Sequence, residues 1–200
     1  LLNSGIVPPT FKNACELGFG QGVSININAA VSTTNWYGTD FNPSQAGFAI
    51  DLANSYGGGD RLTDESFFDF CNRDDLPDFD FIGLHGIWSW ISDENRLILV
   101  DFIKKKLNVG GVLYISYNSL PGWSSHAPLR QLLNEHVSRF GSRADGIANN
   151  ISEALKFTEN FFSVKSKYTE GTVGSRERFD KLKTQNASYL AHEYFNKDWH

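Results

Sequence analysis

Seven consecutive residues, Glu16-Leu17-Gly18-Phe19-Gly20-Gln21-Gly22, constrain this chain more than any other stretch. They follow the apolar pair Ala14-Cys15, so residues 13–17 read as a short buried strand that breaks into a turn with three alternating glycines. Glycine is required where a turn demands positive φ or where backbone must lie against a ligand. A helix beginning directly after the turn, predicted over residues 21–32, presents its first amides to whatever the turn holds. Strand, glycine turn and helix in that order form the opening unit of a wound α/β sheet.

The alternation continues. Trp36-Tyr37-Gly38-Thr39 reads as a second strand ending on Asp40. Asn42-Pro43 combines an N-cap with proline at the first helical position, and that helix is expected to run to about Tyr56, where three glycines stop it. A short third strand or turn is expected near 61–67 and a fourth strand over 79–85. Ser92-Asp93-Glu94 opens a helix that runs to about Leu107 and ends before Gly110-Gly111, and 112–117 form a fifth strand. Short connections between alternating elements imply right-handed crossovers and a parallel sheet. After Pro121-Gly122-Trp123 the pattern becomes helical over 128–140, 145–163 and 175–195, with a loop at 168–174. The expected organisation is a ligand-binding α/β core over 1–123 and a helical insertion or lid over 124–200.

Charge is unevenly spread. The net charge is −5, but residues 1–100 hold 4 Lys and Arg against 13 Asp and Glu. The glycine-turn half is therefore acidic, which argues against a nucleic-acid face there. Cys15 and Cys71 form neither a disulfide framework nor a metal-ligand spacing, so no metal is expected. No apolar run reaches the roughly 18–20 residues of a membrane span, and no leader pattern stands at the start, which makes a cytoplasmic location the default expectation. The chain opens on Leu1 and contains 0 Met, which fits a piece of a longer protein.

The chemistry of the turn can be narrowed. A dinucleotide fingerprint needs a third glycine where Val23 stands, and a phosphate-cradling loop needs a lysine that this turn lacks. Instead, Glu16 lies two residues before the first glycine. A carboxylate there repels a pyrophosphate and suits a cationic ligand bearing an ammonium and a sulfonium. Asp40, at the end of the second strand, suits a ribose diol, from which it can accept two hydrogen bonds.

On these residues the chain resembles the class I S-adenosylmethionine-dependent methyltransferases. Residues 16–22 look like their first motif, Tyr37-Gly38-Thr39-Asp40 like the second, and Asp64-Glu65-Ser66-Phe67 falls where the family contacts adenine. Leu84-His85-Gly86-Ile87-Trp88-Ser89-Trp90, Ser116-Tyr117-Asn118-Ser119-Leu120-Pro121-Gly122-Trp123 and Tyr189-Leu190-Ala191-His192-Glu193-Tyr194-Phe195 are similar to a bacterial subfamily that carries a methyltransferase regulatory domain. Bacterial protein-lysine methyltransferases resemble it too. The resemblance implies a Rossmann-like sheet, normally of seven strands. Five are evident here, so the last antiparallel pair is expected beyond residue 200, leaving a sheet edge open.

It also implies roles. Glu16 would hold the methionine ammonium of S-adenosylmethionine, and Gly18, Gly20 and Gly22 would let backbone approach it. Asp40, followed by Phe41, would hold the ribose, with Ser66 and Phe67 bordering the adenine. His85 would be a general base or a cofactor contact; it reads equally as a strand-end histidine bonded to backbone. Tyr117 and Asn118 would align an amine, or form a capped turn. Trp88 and Trp90 would wall the substrate pocket or serve the core, and His192, Glu193 and Tyr194 would close over the pocket or form a polar helix face. The expected reaction is methyl transfer to a nitrogen, such as a protein lysine, leaving S-adenosylhomocysteine (AdoHcy). A small-molecule acceptor and a module that senses the cofactor without transfer remain alternatives.

Overall fold

In the computed structural model, which describes residues 1–164 and 166–195, the chain divides into two compact units, Leu1–Tyr117 and Asn118–His200.

The first unit is a five-stranded parallel sheet of order β3-β2-β1-β4-β5, built from β1 (Asn13–Leu17), β2 (Asn35–Thr39), β3 (Leu62–Thr63), β4 (Phe79–Leu84) and β5 (Leu107–Ile115). The connecting helices are α1 (Val23–Val31), α2 (Pro43–Asn54), α3 (Phe67–Cys71) and α4 (Asp93–Lys106). The strand order reverses between β1 and β4, which opens a crevice outside their carboxyl ends. In β1, Ala14, Cys15 and Leu17 are fully buried, as expected for a central parallel strand covered on both faces. Cys15, Leu17, Phe79, Ile82 and Leu84 pack with Phe70, Leu99 and Phe102 in one core; Phe19, Ile25, Ala46, Ala49 and Ala53 form another.

Several helix boundaries follow the expected capping chemistry. Asn42 Oδ1 accepts the amides of Ser44 and Gln45 at 3.1 and 3.4 Å, with Pro43 opening α2. Ser92 accepts the amide of Asn95 at 3.3 Å, and α4 carries Asp93 and Glu94 in its first turn and three lysines in its last.

The structure also corrects several expectations. β5 begins at Leu107 rather than 112 and ends at Ile115, so Tyr117 and Asn118 lie beyond it. Its register against β4 shifts between Phe79 and Phe81, and the excess residues bulge through Gly110 at φ 84° instead of ending a helix. β3 shrinks to two residues because Ser66, expected near its end, caps α3 by accepting the amide of Asp69. β4 ends at Leu84, one residue before His85.

The second unit contains α5 (Ala127–Phe140), α6 (Gly146–Ser163), α7 (Lys167–Gly171), α8 (Ser175–Lys183) and α9 (Ala187–Phe195). The expected loop at 168–174 is largely α7, which a reciprocal cap between Ser166 and Thr169 starts. The expected single helix over 175–195 is two, because the Asn186 side chain accepts the amide of Tyr189 and begins a new helix. Leu129, Leu133, Ile151, Ala154, Phe179, Leu182, Leu190 and Tyr194 form this unit's own core.

Gly22 and Gly47 make contrasting tests of this packing. Gly22 adopts φ 68°, and a Cβ there would stand 2.4 Å from the Ala49 Cβ, so Gly22→Ala is expected to lower unfolding stability by about 3 kcal/mol. A Cβ on Gly47, inside α2, meets nothing within 4 Å, so Gly47→Ala is expected to raise stability by roughly 0.5–1 kcal/mol. Urea unfolding of both variants checks the pair.

Candidate functional site

The glycine turn sits at the carboxyl end of β1, above the switch point. Gly18, Gly20 and Gly22 all have positive φ, at 71°, 59° and 68°. The Gly18 amide donates to the Thr39 carbonyl at 2.8 Å, which ties the turn to the end of β2. Asp40, only 7% exposed, accepts from the Gly20 amide at 2.8 Å through Oδ2 and from the Asn42 amide at 3.0 Å through Oδ1. From beneath, the buried Asn26 donates to the carbonyls of Gly22 and Ala49 at 2.8 and 3.1 Å and accepts from the Tyr56 hydroxyl, locking the turn to α2.

Glu16 points differently. It is 7% exposed, and among the described residues no hydrogen bond or ion pair engages its carboxylate. Burial pushes its pKa up to about 7. It lines a cavity of about 300 Å³ together with Ser24, Asn28, His85, Tyr114, Trp36 and Phe81. Trp36 brings a second orphan, a buried indole N–H without an acceptor. A pocket holding an unpaired carboxylate and an unpaired donor fits a ligand that carries both a cation and an acceptor.

His85 follows β4 directly and is exposed toward this cavity's rim. Its Nδ1 lies 3.2 Å from the Tyr114 hydroxyl, and the two rings stack at 5.9 Å with planes 10° apart. Sheet register explains the pairing, since Gly83 faces Tyr114 across β4 and β5. The sequence pattern points to Tyr117, three residues on, rather than to Tyr114; the signal that finds Tyr114 is strand alternation carried through the β5 bulge. Tyr117 lies past the strand end and is 61% exposed, and Asn118 begins the second unit.

The remaining expected contacts are placed as follows. Phe41 is an exposed ring next to Asp40. Ser66 spends its hydroxyl on Asp69, at 2.6 Å from Oδ2, and Phe67 packs into the core. Trp88 packs against that same core. In the helical unit, Tyr194 is a fully buried core residue whose hydroxyl accepts from Arg178 Nε at 3.0 Å. The His192 side chain lies outside the described residues. A larger cavity of about 930 Å³ lies within the helical unit, beside Arg130, Asn134 and Ser138, and contains none of the expected groups. Among the described residues no cluster of metal ligands occurs, and no helix is long and apolar enough to cross a membrane.

Comparison with known proteins gives this geometry a context. PKMT2 from Rickettsia typhi in complex with AdoHcy superposes with a TM-score of 0.70 at 25% identity, over 96% of this chain and 37% of that one. This chain has the Rossmann-like class I methyltransferase fold. An uncharacterised protein of Synechocystis sp. is 44% identical over 190 residues, which are 94% of this chain and 37% of that protein. An uncharacterised protein of Rickettsia prowazekii is 28% identical over 197 residues, 96% of this chain and 77% of its own length. The chain thus spans little more than a third of the Synechocystis relative and of PKMT2. No protein-family model matches it.

The raised Glu16 pKa makes a stability prediction with a definite sign. The folded pKa of about 7 lies above the ordinary 4.5, so the folded state binds the proton more tightly. The corresponding stability is fully present below about pH 4.5 and is lost as pH rises through 7. Glu16→Gln removes the ionisation. It is therefore expected to match the native protein near pH 4.5 and to exceed it by about 3 kcal/mol at pH 8, as read from unfolding midpoints at the two pH values.

Proposed function

We propose that this chain binds S-adenosylmethionine and forms the methyl-transferring core of a methyltransferase whose acceptor is a nitrogen, with a protein lysine as the first candidate. The observation that carries this reading is the buried, unpartnered Glu16 carboxylate beside a glycine turn whose second anchor is Asp40. The likeness to PKMT2 bound to AdoHcy, across nearly the whole chain, supports the cofactor.

The donor set suits the ligand. Glu16 offers its charge to the ligand's ammonium. Each Asp40 oxygen already accepts one backbone amide and keeps a further lone pair for a ribose hydroxyl. Phe41 and the backbone at Ser66 border the base, since the Phe67 ring belongs to the core. Bound cofactor supplies a methyl group activated on a sulfonium, so the protein's remaining tasks are to position the acceptor and remove its proton. His85 is the proposed base: with Nδ1 protonated and donating to Tyr114, its Nε2 is left to accept a proton from the incoming amine. Tyr117 and Asn118 are the proposed groups that align that amine.

Titration calorimetry with S-adenosylmethionine, AdoHcy and NAD decides the cofactor. Binding of the first two without NAD is expected, and binding of NAD alone would falsify the reading. Because the ligand's ammonium pairs with Glu16 only when that carboxyl is ionised, affinity for AdoHcy is expected to rise roughly eightfold from pH 6 to pH 7.5, and Glu16→Gln is expected to abolish that rise. Asp40→Ala is expected to weaken binding by about 1–3 kcal/mol. Radiolabelled methyl transfer to a panel of peptide and small-molecule acceptors separates an enzyme from a sensing module, and His85→Ala is expected to reduce kcat far more than it weakens cofactor binding.

A further inference from the structure

The segment joining β4 to α4, residues 85–92, borders the crevice at the switch point. Two of its hydrogen-bonded anchors lie on either side of Ile87. At its start, the Gly86 amide donates to Ser116 Oγ at 2.7 Å, which ties it to the end of β5. Further along, Arg96 in the first turn of α4 directs two donors at one carbonyl: Nε and Nη2 reach the Trp88 oxygen at 3.2 and 3.0 Å. The guanidinium carbon stands 5.7 Å from the centre of the Trp88 ring, and Nη1 pairs with Asp93 Oδ1 at 3.0 Å. The Arg96 side chain is only 17% exposed, so these charge-assisted bonds are largely sheltered from water.

Between the two anchors lies Ile87, and its side chain rests on the glycine turn. A Cβ on Gly18 would stand 2.7 Å from Ile87 Cγ2 and 3.1 Å from Cδ1. Gly18 is therefore glycine for two reasons, its φ of 71° and the methyl groups above it. A continuous path of contacts runs from the Arg96 guanidinium through the Trp88 carbonyl and Ile87 to Gly18.

We infer that Arg96 is a positioning residue for the cofactor site: it fixes residues 86–91 so that Ile87 presses on the glycine turn and holds that turn in its binding geometry. The inference rests on the cofactor reading above and adds a residue to it. Lysine cannot reproduce the arrangement, because a single ammonium lacks the planar fork that delivers two parallel N–H groups to one carbonyl while lying over an indole.

The test compares Arg96→Lys, Ile87→Ala and the unaltered chain by calorimetry with S-adenosylmethionine and by amide hydrogen exchange. For Arg96→Lys, affinity is expected to fall at least tenfold, exchange of the 86–91 amides to quicken at least tenfold, and the far-UV spectrum to stay unchanged. Ile87→Ala leaves the Arg96 bonds in place, so it is expected to lose affinity without quickening exchange at Trp88. It reports on the same path even if Arg96→Lys folds poorly. Unchanged affinity in either variant overturns the inference, and so does quickened exchange with unchanged affinity in Arg96→Lys. If the unaltered chain binds no S-adenosylmethionine, the cofactor reading falls and this role falls with it, while the exchange measurement still decides whether Arg96 holds the loop.

Discussion

The site depends on one buried carboxylate. Asp40 ends β2, and through its two oxygens it reaches back to the Gly20 amide and forward to the Asn42 amide. The first bond shapes the turn after β1; the second sets the residue that caps α2. Burying an isolated carboxylate costs several kcal/mol, and charge-assisted bonds from backbone amides are what offset that cost. The geometry follows from sheet register. Leu17 pairs with Thr39, so the residues just beyond each strand, the glycine turn and Asp40, arrive side by side. Gly20 gives its amide to Asp40 from a backbone at φ 59°, a conformation glycine adopts freely, and this links the glycine pattern to the acid that follows β2.

Glu16 shows the opposite economy. It lies in the same strand as three fully buried apolar residues, yet its carboxylate has no partner among the described residues. A fold optimised only for stability would place an apolar side chain there, or a cation beside it. Two departures share one cavity: the unpaired Glu16 near the end of β1 and the orphaned Trp36 N–H from the start of β2 both line it, and the turn with three left-handed glycines follows Glu16 directly. Departures from local rules gathered in one place mark where a ligand completes the structure, because binding supplies what the folded chain alone lacks. The same reasoning limits the site's information. On the proposed reading, the carboxylates and glycines meet the cofactor's charge and backbone approach, and recognition of the acceptor is left to the loops that follow β4 and β5.

Much of this was legible because it is written in short range. The glycine turn, the Asn42-Pro43 start of α2 and the Ser92 start of α4 each depend on residues within a few positions, and each forms where the residues indicate. What escaped was set by distance. The start of β5 was hidden because lysines 104–106 and Gly110-Gly111 spell a helix end followed by a turn, whereas pairing with β4 recruits residues 107–111 into the strand with a bulge. Tyr114 is hidden for the same reason, since its neighbour His85 follows the end of another strand and the contact exists only once the register is known. Arg96 carried no signal at all: in sequence it is an ordinary partner for Asp93 on an exposed helix turn. Its importance arises from where the carbonyl of Trp88 points and from Ile87 lying on Gly18, a contact between segments nearly seventy residues apart that no local pattern encodes.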